Sequence, residues 1–428
     1  MHMRLLRYKA ETIGPEERLF LASFAMCFQD GGAASLTVRE LAESVGMPTR
    51  VVMRAVSRLS VANAYLVVQK VAVGRGRPSR CYEISPEIRA RLKGCSMASC
   101  PSVCAQVINH LLSPSARLLA DKGGEERVAK KTGYKQPPVR IKSSQLSLAN
   151  RWLVAVLVSH ANKLGAVREL GMAALRQLTG MSEPRLKAQL LRLVELGVIR
   201  SYAPGISSLL FTGVKVSRSY FLNLAHPLLG LEGGGAGVVV IDAPAAERRE
   251  AVTYTAEHFV KNYFQQLSDV AFDVFCHRLD GYTSFLLSTY WEELGRSMRP
   301  DLEETLQVLV DSDFQRPEGK SADGLNIDEG RWLRVIEHFC WLAFERARSI
   351  RKELTPLLEG KAGGAQIQLV PTPSAQVTTL FMEAPPVPLY GCLVIKYHPW
   401  KVCEPYKDEA ELALEDRYRF GLQARSKG

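Results

Sequence analysis

The stretch TVRELAESVGMPTRVVMRAVSRL, Thr37–Leu59, decides how the chain is read. Thr37 and Glu40 have the spacing of a capping box, in which a threonine hydroxyl and a glutamate three residues on satisfy each other's orphan helix N–H groups. A short helix is therefore expected over Val38–Val45. Gly46-Met47-Pro48 reads as a turn, since glycine tolerates the left-handed backbone and proline suits the first positions of a new helix. The next helix, Thr49–Leu59, places Val52, Val56 and Leu59 on one face and leaves Thr49, Arg50, Met53, Arg54 and Ser57 on the other.

Working outward, Pro15–Phe28 has helical apolar spacing, and Ser35–Thr37 reads as a short strand. Tyr65–Val73 and Cys81–Ile84 read as two strands joined by Gly74-Arg75-Gly76-Arg77-Pro78-Ser79-Arg80. The same order recurs downstream. Ala149–Leu164 is helical, Ala166–Val167 a short strand, Met172–Leu178 and Glu183–Leu196 two helices around Thr179–Ser182, and Val198–Tyr202 with Val214–Leu224 a hairpin. Leu41 and Leu175, Gly46 and Gly180, Met47 and Met181, and Leu59 and Leu193 are all 134 positions apart. A repeat that keeps its turn glycine and core leucines marks a duplicated unit.

These two stretches resemble the winged helix-turn-helix family, over Pro15–Ser85 and Ser147–Pro227. The resemblance implies double-stranded DNA as partner, with the helix after each turn entering the major groove and each hairpin touching backbone or minor groove. It implies DNA contacts from Thr49, Arg50, Met53, Arg54 and Ser57 on the first such helix, and from Arg75, Arg77 and Arg80 on the first hairpin. On the second copy it implies Arg185, Gln189 and Arg192, with Lys215 and Arg218 on the hairpin. Arginine reads guanine and glutamine adenine through paired hydrogen bonds. Arg75-Gly76-Arg77-Pro78 also resembles the core of AT-hook peptides, which bind AT-rich minor grooves. The second hairpin is more apolar (Leu209, Leu210, Phe211), so weaker DNA reading or a protein contact is expected there.

The charge agrees. The 428 residues carry net +11 with 46% hydrophobic and 23% charged residues, a globular profile. Residues 1–229 hold 33 Lys and Arg against 14 Asp and Glu; residues 230–428 hold 22 against 30. A +19 portion joined to a −8 portion fits a nucleic-acid reader carrying a different module. No apolar run approaches the ~20 residues that span a bilayer. Leu19–Phe28 is expected to be a buried helix rather than a signal peptide, because Glu11, Glu16 and Glu17 precede it. A cytoplasmic protein with no membrane partner follows, and nine cysteines in so long a chain fit free thiols.

The expected fold class is mainly α with small β-hairpins (α+β): winged helix domain 1 over 1–93, a Cys-containing helix and basic linker over 94–146, winged helix domain 2 over 147–229, and an α+β domain over 230–428. In the linker Pro101–Leu112 is expected to be helical and Ser113–Lys142 a flexible basic segment. Leu229–Gly237 is glycine-rich. Beyond it, Ala245–Met298 reads as several helices, Ile327–Leu354 as one long helix, Gln366–Val370, Val377–Met382 and Leu389–Tyr397 as strands, and Lys407–Gly421 as a polar helix. This last domain is expected to serve homodimerisation or partner contact.

Signals for chemistry are thin. Cys95, Cys100 and Cys104 are the one candidate metal cluster, but they lack a CxxC pair and read more readily as small buried thiols. Gly319-Lys320-Ser321 lacks the first glycine of a phosphate loop, and Gly233–Gly237 precedes rather than follows a strand. His258, His277, His338 and His398 lack metal spacing. No cofactor and no catalytic residue is expected. The expected role is a transcriptional regulator; the alternatives are a plasmid or mobile-element replication initiator, which shares paired winged domains, and a DNA-processing enzyme or adaptor working through residues 230–428.

Overall fold

A computed structural model describes residues 1–10, 12–28, 32–71, 79–94, 100–115, 146–168, 170–203, 205, 218–231, 236–244, 247–298, 300–314, 328–358, 364–383 and 391–425. The chain is mixed α and β and divides into two compact units. The first comprises Met1–Lys163, Met172–Val198 and Leu224–Glu232; the second comprises Leu164–Gly171, Ile199–Asn223 and Gly233–Gly428. No helix among the described residues is long and apolar enough to cross a membrane.

The first unit begins with α1 (His2–Leu5) and α2 (Pro15–Cys27), then β1 (Ala34–Leu36), α3 (Val38–Ser44), α4 (Thr49–Leu59), β2 (Leu66–Val71) and β3 (Ser79–Ile84). The capping box forms: the Glu40 N–H donates to Thr37 Oγ1 at 3.2 Å and the Thr37 N–H to Glu40 Oε2 at 2.7 Å. The three strands form an antiparallel sheet in the order β1-β3-β2. After it come α5 (Pro86–Gly94), α6 (Ser102–Leu112) and α7 (Leu148–Ser159). Sequence reasoning overlooked α5, although Pro86 begins it. It also ran α7 on to Leu164, whereas the helix ends at Ser159.

In α2 and α7 nearly every side chain is buried, polar ones included. Helices apolar on all sides sit at the centre of a core, and these two pack on each other, with α6 against both. Val107, Ile108, Leu111 and Leu112 are fully buried, so α6, the helix expected over Pro101–Leu112, is part of this core. The basic segment expected over Ser113–Lys142 lies outside the described residues from 116 onward. Two more helices of this unit, α8 (Met172–Thr179) and α9 (Glu183–Glu195), follow.

The second unit holds two sheets. β4 (Ala166–Val167), β5 (Ile199–Ala203) and β6 (Ser219–Leu222) form an antiparallel sheet ordered β4-β6-β5. That is the order of the first sheet again, which extends the sequence repeat to topology. The larger sheet has the order β11-β10-β7-β9-β8, built from β7 (Gly237–Asp242), β8 (Gln366–Val370), β9 (Val377–Glu383), β10 (Cys392–Lys396) and β11 (Val402–Tyr406). β7 and β10 run parallel and the other pairs antiparallel.

Both faces of this sheet are covered, and the alternation of β7 shows how. Val239 and Ile241 join a large core with α10 (Arg248–Thr253), α11 (His258–Gln266), α12 (Asp269–Thr289), α13 (Pro300–Asp313) and α14 (Glu329–Leu358). Val238 and Val240 join a second core with Phe221, Phe381 and Phe420. The long helix is confirmed, reaching Leu358 with Pro356 in its last turn. The polar helix expected over Lys407–Gly421 is a correction: only Leu414–Arg419 is α-helical, because Asp408 caps a separate 3-10 turn at Glu409–Glu411 before it; the strand at 402–406, which tolerates Pro405 at the sheet edge, was not expected.

Candidate nucleic-acid interface

Helix α4 is amphipathic to the residue. Val52, Ala55, Val56 and Leu59 are buried, while Thr49, Arg50, Met53, Arg54 and Ser57 are all exposed. Met53 keeps 59% of its surface, unusual for a methionine beside a core. Arg50 and Arg54 lie one turn apart on this face. Neither has an ion-pair partner among the described residues, whereas Arg58 on the same helix is held by buried Glu17 at 3.0 Å. The face therefore presents two unneutralised guanidinium groups.

The hairpin adds more positive charge. In the β2–β3 register Lys70 stands directly opposite Arg80, and both are exposed. Like charges facing across strands oppose each other by roughly 0.2–1 kcal/mol. Arg80 was expected from the sequence; Lys70 was not, although a hairpin drawn from the two strand ends would have paired them. Arg75 and Arg77 lie outside the described residues, as does Lys215 of the second hairpin.

The second copy differs in its side chains. On α9 Arg185 is exposed, but pairs with Glu16 at 2.5 Å. Arg192 pairs with Glu195 at 3.1 Å, and both are half-buried. Gln189 is half-buried and accepts from Ser147 Oγ at 3.5 Å. Arg218 is half-buried beside Tyr220. The positions expected to carry free readers thus carry side chains already engaged within the protein.

The turns match closely. Gly46 has φ +63° and Gly180 φ +68°. A Cβ on Gly46 would sit 2.6 Å from Pro114 Cα, and one on Gly180 would sit 2.3 Å from the Ile13 carbonyl oxygen. Met47 and Met181 below them are buried.

Two buried arginines bind the copies to each other. Arg18 on α2 donates to Ile13 O and Leu178 O, each at 3.0 Å, and to Ala10 O. Leu178 is the penultimate residue of α8, the helix before the second turn. Arg151 on α7 donates to Leu111 O at 2.6 and 3.1 Å, to Ser113 O at 3.3 Å and to Gly46 O at 3.4 Å, in the first turn. So the leading helix of each copy sends one arginine to the turn of the other. Burial pulls both guanidinium groups down to about 10. They still donate to carbonyls, the acceptors a desolvated cation requires. The offset that aligns Gly46 with Gly180 also places Arg18 near Arg151, a signal the sequence carried unused.

Of the cysteine candidates, Cys100 and Cys104 lie near each other. Cys95 lies outside the described residues. Cys104 is buried on α6, donates to Asn162 O at 3.5 Å, and is pushed up to about 12 by burial and by neighbouring Cys100. Among the described residues no group of three His, Cys, Asp or Glu side chains is disposed to hold a metal ion.

Comparison with protein-family models, with curated proteins and with solved structures finds no match to this chain.

Proposed function

We propose that this chain is a sequence-specific double-stranded DNA-binding protein, a transcriptional regulator that uses two winged helix segments. The observation that carries this reading is the exposed face of α4, where Arg50 and Arg54 stand without an ion-pair partner among the described residues, beyond a tight glycine turn. Arginines at one-turn spacing on a groove-sized helix reach guanine edges and phosphates together. The Lys70–Arg80 pair on the adjoining hairpin supports the same reading, because an anion between them relieves their repulsion.

The two copies contribute unequally. The first supplies most base contacts, and the second, with Arg185 and Arg192 engaged by Glu16 and Glu195, mainly orients the first through the arginine clasps. The site read is accordingly asymmetric. The test is binding to a selected duplex across a salt series. Arg50→Ala and Arg54→Ala should each weaken binding by about 1–3 kcal/mol and change base preference. Arg39→Ala, which removes an arginine paired with Glu43, should do neither.

A further inference from the structure

The second unit contains an open-mouthed cavity of about 300 Å³, bounded by α10, α12, α14 and the segment between β8 and β9. That is about ten water volumes at ~30 Å³ each, and at the lower end of small-molecule sites. Its wall combines apolar side chains such as Leu279 and Leu342 with a small set of polar groups. Trp341 stands at the mouth, 37% exposed, with His338 stacked behind it at 5.7 Å.

The lining carries two arginines, Arg248 and Arg346, and two carboxylates, Asp280 and Glu345. Arg346 pairs with Asp280 at 2.7 Å, which uses the one buried carboxylate of the lining. Glu345, also lining, turns to Arg348 at 3.6 Å and is 41% exposed. Arg248 makes no direct ion pair among the described residues, although it stands near enough to Asp280 to help stabilise that carboxylate. Its bonds to Thr372 O, Thr372 Oγ1 and Ser374 O all come from Nη2, so Nε and Nη1 have no partner there. A guanidinium placed in an apolar-walled cavity with free N–H groups is a site for charge-assisted hydrogen bonds to an anion.

We infer that this cavity binds a small aromatic carboxylate, with the carboxylate on Arg248 and the ring between Trp341 and the apolar wall. The volume fits one or two fused rings and an acidic side chain. Arg346 and Asp280 form a neutral floor. The inference does not depend on the chain binding DNA.

The test uses the full-length protein and two matched probe pairs, benzoate with benzamide and indole-3-acetate with indole-3-acetamide. Binding is measured by saturation-transfer NMR and calorimetry. Each acid should bind at least about tenfold more tightly than its amide, the factor expected for one charge-assisted hydrogen bond. Arg248→Gln should bring the acid down to the level of the amide, and Trp341→Ala should weaken acid and amide alike. Equal affinity of acid and amide for the unmodified protein overturns the inference, whatever the variants do. So does an absence of binding by both acids at 10 mM, a concentration well above the range of specific small-ligand sites.

Discussion

Arg151→Met removes one half of the reciprocal clasp and tests whether the two turns are held through it. The side chain is 4% exposed and makes four hydrogen bonds to three carbonyls. Hydrogen bonds from a charged donor contribute ~1.5–3 kcal/mol each, so the set supplies about 6–12 kcal/mol. Against it stands the desolvation that pulls the group down to about 10, which costs roughly 3 kcal/mol at 1.36 kcal/mol per unit. Methionine keeps much of the volume but orphans Leu111 O, Ser113 O and Gly46 O. The expected net loss is about 3–5 kcal/mol, the range for breaking a buried charged network. Hydrogen exchange by mass spectrometry in a urea series gives the local free energy over residues 38–59. The variant should lose protection there, at the Gly46 turn, although the substitution lies on α7. A loss below about 1 kcal/mol, with exchange over 38–59 unchanged, would refute the claim that Arg151 supports that turn.

Gly46→Ala and Gly180→Ala should each destabilise by about 2 kcal/mol or more. Each forces a Cβ into positive φ, at ~1–2 kcal/mol, and against backbone atoms at 2.6 and 2.3 Å; denaturant melts of the two variants check it, and an unchanged midpoint for either contradicts the packing described. Glu16→Ala should release Arg185 and strengthen DNA binding at low salt, because an engaged guanidinium becomes available to phosphate. Fluorescence anisotropy measures this, and affinity that stays constant or falls argues against a latent contact from α9.

Much of the first unit was legible because its signals are local. Thr37 and Glu40 announce a helix start three residues apart, Gly46 announces the turn, and the apolar stripe of α4 gives its buried face. The repeat then carried the same reading to α8 and α9, and the matching strand orders of the two small sheets follow from it. What stayed hidden depends on distance along the chain. β7 pairs with β10 across about 150 residues, and no local pattern says which strand a valine run will join. Glu195, three residues after Arg192 on the same helix, was a local signal left unused, whereas the partner of Arg185 was equally invisible, since Glu16 is far from α9 in sequence and only the fold decides that it neutralises Arg185. The same holds for the cavity beside Arg248, assembled from three helices and a strand connection. Composition shows the acidic character of residues 230–428 but not an arginine whose hydrogen bonds among the described residues all come from Nη2.

The central claim is that the α4 face reads DNA sequence. The most direct measurement is selection of binding sites from random duplex DNA by the full-length protein and by Arg50→Ala, each followed by footprinting. The account predicts one asymmetric motif for the unmodified protein and a motif for Arg50→Ala that loses preference at one or two base pairs. Recovery of no enriched motif by the unmodified protein, or of an identical motif by the variant, would contradict it.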